Sequence, residues 1–136
     1  MSDSKRTIVV PAGAQGMYDR FHFPQATRVG DTVWVSGQVG VDAAGQPGAD
    51  IAAQARLAFE ALKAVLAEAG ATLGDVVDLN TFHLDLRGGM RAFAAVKDEF
   101  FPSNYPSWTA VGVTQLARPE FLVEIRAVAV VGSALA

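Results

Sequence analysis

The sequence predicts an α+β fold: a mixed sheet of about six strands with two helices packed on one face. Three observations carry this. Two helix-like segments are inserted singly between strand-like runs, hairpin-like pairs stand at both ends, and Gly or Pro marks most of the junctions. The chain has 136 residues, the length of one domain, residues 1–136, with a polar and flexible start over 1–6.

The elements follow in order. Thr7 to Val10 is a short β-branched run stopped by Pro11, and the Gly-bearing polar stretch Ala12 to Arg20 reads as loop. Gln25 to Val29 and Thr32 to Val39 flank Gly30-Asp31, the signature of a tight hairpin. In its second arm Val33, Val35 and Gly37 alternate with Trp34, Ser36 and Gln38, which predicts that Ser36 and Gln38 share a face with Trp34. After the loop Asp42 to Gly48, Asp50 is suited to cap a helix. Ile51, Ala55, Ala58, Phe59, Leu62, Val65 and Leu66 then recur at steps of three and four as one apolar stripe, and Gly70 ends it. Val76 to Leu86 reads as the next strand, Met90 to Phe100 as a shorter helix after Gly88-Gly89. Trp108 to Gln115 and Leu122 to Val131 are the last two strands. With helices on one face only, the other face needs a cover, and subunit association is the simplest one.

Composition narrows the function. Hydrophobic residues make up 51% and charged residues 18%, yet no run approaches the roughly 18 apolar residues of a membrane span. The formal charge is −3 without a basic cluster, which argues against a nucleic acid partner, because such binding draws on clustered Lys and Arg. The chain has no cysteine and hence no thiolate ligand or thiol nucleophile. His22 and His83 lack the acidic spacing of a metal site, and no phosphate loop or serine-hydrolase elbow is present. No metal and no cofactor are expected, and no secretory signal is visible, so a soluble cytoplasmic protein without a membrane partner is the expectation.

Several motifs, in order along the chain, resemble one family. They are Val35-Ser36-Gly37-Gln38-Val39, then Gln54 with Phe59, Leu62-Lys63 and Val65-Leu66, and then Ala69-Gly70-Ala71. Asp75-Val76-Val77 with Thr81-Phe82 and Asp85 follows, and after it Phe101-Pro102, Tyr105-Pro106 and Val123-Glu124-Ile125. Together they resemble the RidA/YjgF family of enamine and imine deaminases over about Val10 to Val131. The resemblance implies a chorismate-mutase-like fold, a homotrimer, and a small-molecule cleft at each subunit interface. Family members with the full site hydrolyse enamines and imines such as 2-aminoacrylate to keto acids and ammonia, without a cofactor.

Carried over by position, Glu124 is the acid near the attacking water and the expected catalytic residue. Ser36 and Gly37 are expected ligand contacts. Trp108 stands where the family has an arginine that grips the substrate carboxylate, Phe23 where it has a tyrosine, and Lys97 where it has an asparagine. An arginine fork holds a carboxylate through two charged contacts, whereas tryptophan offers one N–H and an apolar plate. The expected cleft is therefore more apolar, walled by Phe23 and Trp108, with 2-aminoacrylate a doubtful substrate. His22 is near enough to be a ligand contact. Arg126, on the face of Glu124, and Arg118, in the preceding loop, read as solvated charges, either being the substitute if one exists. A non-catalytic ligand-binding or regulatory module is the alternative. The endoribonuclease or translation-inhibitor role also attached to the family sits poorly with the acidic charge balance.

Overall fold

The computed structural model describes residues 5–135; the start of the segment expected to be flexible, residues 1–4, lies outside them. Among the described residues six strands and three helices form one layered unit. They are β1 (Thr7–Val9), α1 (Gln15–Phe21), β2 (Ala26–Val29), β3 (Thr32–Val39), α2 (Ile51–Glu68), β4 (Val76–His83), α3 (Leu86–Phe100), β5 (Ser107–Gly112) and β6 (Val123–Val130). The sheet runs β1-β2-β3-β6-β4-β5, antiparallel except for the parallel pair β4 and β5.

The core lies between the sheet and the two long helices. Asp50 caps α2 by accepting the Ala53 N–H at 2.8 Å, and Gly70 follows the helix at a φ of +86°, the left-handed region. The predicted stripe is buried almost to its last member: Ala55, Ala58, Phe59, Leu62, Val65 and Leu66 meet Val33, Val35, Leu79, Ile125 and Ala127 from the sheet. Phe59 is the hub, with Phe93, Phe100 and Phe101 rings 5.3 to 5.9 Å from its own. Gln54, fully buried, bonds the Gly48 and Glu120 carbonyls and the Leu122 N–H, fastening the start of α2 to the loop before β6.

Four expectations need correction. The stretch Ala12 to Arg20 is not all loop: α1 forms there, closed by His22 at a φ of +62°. It buries none of its residues, so no apolar stripe announces it. The third helix begins at Leu86, four residues before Met90, because the Asp85 side chain caps it through the Gly88 N–H. The last two strands are not a hairpin, since β4 lies between them. Finally, Gln38 does not share a face with Trp34. Val35 pairs with Ala127 and Gln38 with Ile125, so Ser36 and Gly37 together oppose Arg126 alone. This is a β-bulge, and it shifts the alternation by one residue.

The opposite face of the sheet carries neither of the two long helices. Ile8, Trp34 and Val111 stand on it, each about two-fifths exposed.

Candidate functional site

The bulge in β3 builds the site. Doubling Ser36 and Gly37 against one residue of β6 opens the ladder and lets Glu124 lie across Gly37. A Cβ added at Gly37 would overlap the Glu124 carboxylate, so the glycine makes room for the acid. The bulge is braced from one side. The Ser36 hydroxyl donates to the Pro24 carbonyl at 2.8 Å, its N–H donates to Gln25, and Gln38 Nε2 donates to Gln25 Oε1 and to the Ser36 carbonyl. Ser36 thus has its proton committed and keeps its hydroxyl lone pairs for a ligand.

Phe23, Thr27, Trp34, Val35, Ser36, Gly37, Glu124 and Arg126 line an open pocket of about 480 Å³ at this bulge. Glu124 is partly buried there, and its carboxylate has neither ion pair nor hydrogen bond among the described residues. Burial pushes its pKa above the ordinary value. Arg126 shares the face but does not pair with it. An unpaired acid of raised basicity, on a face walled by aromatic rings, can hold a water and take its proton.

The structure brings five of the eight expected site residues together: Glu124, Ser36, Gly37, Phe23 and Arg126. His22 lines the neighbouring groove, of about 440 Å³, with Tyr18, Asp19 and Thr27. Lys97 and Trp108 lie elsewhere in the chain, Lys97 on α3 and Trp108 on β5 beneath it. Trp108 pairs with Leu79, on the helix-covered face. Its indole N–H donates to Thr81 Oγ1 at 2.9 Å, and its ring packs against Phe93. Thr81 Oγ1 in turn lies 2.7 Å from His83 Nε2, while His83 Nδ1 is buried without a partner and burial lowers the histidine pKa. Within one protomer Trp108 is therefore no wall of the Glu124 pocket. Arg118 is engaged by Glu120, at 3.3 Å, and by the Gly45 carbonyl, away from the pocket.

Three pocket residues, Thr27, Trp34 and Val35, were not among the expected site residues. Thr27 and Trp34 are direct cross-strand partners in the hairpin, so its alternation held the signal. Among the described residues, no three Asp, Glu or His side chains converge as metal ligands, and no helix is long and apolar enough to cross a membrane.

Fold and pocket together define an α+β protein whose open sheet face carries an acid-bearing pocket. The family follows directly: residues 15–131 match the family described as endoribonuclease L-PSP, and the chain belongs to this family, the RidA/YjgF group. It is 44% identical to the RutC family protein YjgH of Escherichia coli, over 89% of this chain and 93% of that one. It is also 34% identical to a 2-iminobutanoate/2-iminopropanoate deaminase of Dermatophagoides farinae, over 93% and 97%. Among solved structures it is similar to Rv2704 of Mycobacterium tuberculosis, a YjgF/YER057c/UK114 family member. There the TM-score is 0.82 and the identity 35%, over 93% of this chain and all of that one.

Proposed function

We propose that the protein is a hydrolytic deaminase of small imines and enamines, with Glu124 as its catalytic residue, working in clefts between the subunits of a homotrimer. The carrying observation is the unpaired, partly buried Glu124 carboxylate lying across Gly37 in an aromatic-walled pocket. The deaminase among its relatives supports the reading.

The chemistry balances with this chain's own groups. An enamine first tautomerises to its imine. Glu124 takes a proton from a water whose oxygen forms a bond to the carbon of the protonated imine, while the C=N π pair goes to nitrogen and leaves it a neutral amine. Proton return from Glu124 to that nitrogen makes it a leaving group. The C–N bond breaks, ammonia departs, and loss of the hydroxyl proton to Glu124 completes the keto compound. The Ser36 lone pairs and the Phe23 and Trp34 rings orient the substrate. The trimer rests on the family resemblance, with support from the apolar residues on the uncovered face. It would also bring the β5 edge of one protomer to the pocket of the next.

The test is release of ammonia and keto compound from freshly generated imines, running from 2-iminopropanoate to bulky aromatic examples, with Glu124→Gln in parallel. Native turnover should drop roughly 10²- to 10⁴-fold in the variant, with ligand binding retained. A native protein silent across the panel would make it a binding module instead.

A further inference from the structure

The groove of about 440 Å³ beside the Glu124 pocket is floored by Ile8 and Thr27, cross-strand partners on β1 and β2, and walled by Arg6, Tyr18, Asp19 and His22. Thr27 lines both cavities, and the successive residues Phe23 and Pro24 line one each, so the two adjoin. Helix α1 buries none of its residues, so core packing does not account for it, yet Tyr18 and Asp19 line the groove. His22 ends the helix at a φ of +62° and puts a side chain where glycine would be less strained. The polar groups of the groove are unevenly engaged. Asp19 accepts from Gln15 Nε2 at 2.9 Å. The Arg6 guanidinium, the Tyr18 hydroxyl and the His22 ring have no side-chain partner among the described residues. All three can donate hydrogen bonds, and Arg6 adds a permanent positive charge, so together they suit an anionic acceptor. The Glu124 carboxylate lies across Gly37 on β3, with β2 and then β1 further out in the sheet. At about 4.8 Å per strand, the groove stands about 5 to 10 Å to its side. An extended chain advances about 1.2 Å per bond, so a methyl group stops short of the groove and a side chain of roughly four carbons arrives.

We propose that the α1 groove receives the far end of a substrate side chain and that this end is a carboxylate, so the preferred substrate is the imine of a long-chain amino dicarboxylic acid. That the substrate is an imine rests on the deaminase reading; the groove's preference for a distal carboxylate does not. Arg6 is the specificity-determining residue. Tyr18 and His22 add hydrogen bonds to the same group, and Asp19, the acid of the groove, weakens its hold. The group that meets Arg6 is the one at the β1 end of the substrate, away from the reacting carbon.

The test uses 2-oxoadipate and 2-oxohexanoate, keto acids of one chain length that differ only in the terminal carboxylate. Each is titrated into the full-length protein by isothermal calorimetry. The native protein should bind 2-oxoadipate roughly threefold to tenfold more tightly at low ionic strength, and added salt should shrink the ratio. Arg6→Gln should erase most of the preference and leave 2-oxohexanoate binding unchanged. Tyr18→Phe should lower the preference, and Asp19→Asn should raise it. In turnover, the freshly generated imine of 2-aminoadipate should exceed that of norleucine in kcat/KM by a similar ratio, carried by KM. Equal binding of the two keto acids by the native protein, or binding of neither, would overturn the proposal without any variant. So would a preference that survives Arg6→Gln and disappears in Arg126→Gln, which would put the distal carboxylate in the Glu124 pocket. A preference lost in Arg6→Gln, without imine turnover, would uphold the groove and reject the deaminase. Turnover of short imines with equal binding of the two keto acids would do the reverse.

Discussion

Glu124 is uncomfortable where it stands, and its discomfort has measurable consequences. Burial raises its pKa above the ordinary value of 4.5, so the folded chain holds that proton more tightly than the unfolded chain does. Stability therefore falls as pH rises from 4.5 through the raised value, and the whole penalty is present above it. Glu124→Gln removes the penalty. The variant should melt higher than the native protein near pH 7, and the gap should close below pH 4.5 in thermal scans. On the proposed mechanism activity runs the other way, since only the carboxylate form of Glu124 would accept the water proton. A pH profile of kcat/KM should fall on the acid side through the raised value. Gly37 gives an independent check. Gly37→Ala forces the carboxylate aside, so kcat/KM should drop roughly tenfold to a hundredfold, while the melting temperature changes little because the residue is exposed.

Among the elements, β3 and α2 set where the site stands. The β3 bulge aims Ser36 and Gly37 at Glu124, and Gln38 is turned inward to brace it through Gln25. Helix α2 fastens the far side, where Gln54 satisfies three backbone groups from two loops. Gln54→Leu is close in size but leaves those groups buried and unpaired. Denaturant unfolding should show a loss of about 2–4 kcal/mol, with the pocket residues themselves unchanged. The stripe of α2 was legible because 3.6-residue periodicity is a local property of the chain. The bulge was not, because a doubled residue is defined only against the partner strand, some 90 positions further along at Arg126. The start of α1 was hidden for a related reason: a helix that buries nothing leaves no periodic trace.

For the whole molecule, the open sheet face is what the proposed trimer would cover. A sheet with its two long helices on one side leaves Ile8, Trp34 and Val111 in water, spread from one edge strand to the other across the face a second copy would cover. In solution the protein should have the mass of about three chains by light scattering, and Trp34→Glu should give the mass of one chain with its circular dichroism unchanged. A native mass of one chain would remove the inter-subunit cleft and separate the Lys97–Trp108 edge from the Glu124 pocket.

The sequence by itself determined the α+β class, the family and the α2 core stripe, because each is written in local pattern or ordered motifs. Tertiary structure alone decided that β6 inserts between β3 and β4, that Ser36 and Gly37 form a bulge, and that Trp108 turns its ring to Lys97. Each of these depends on which distant strand or helix lies alongside, and the energy of burying a side chain depends on that neighbour rather than on the residue's own position in the chain.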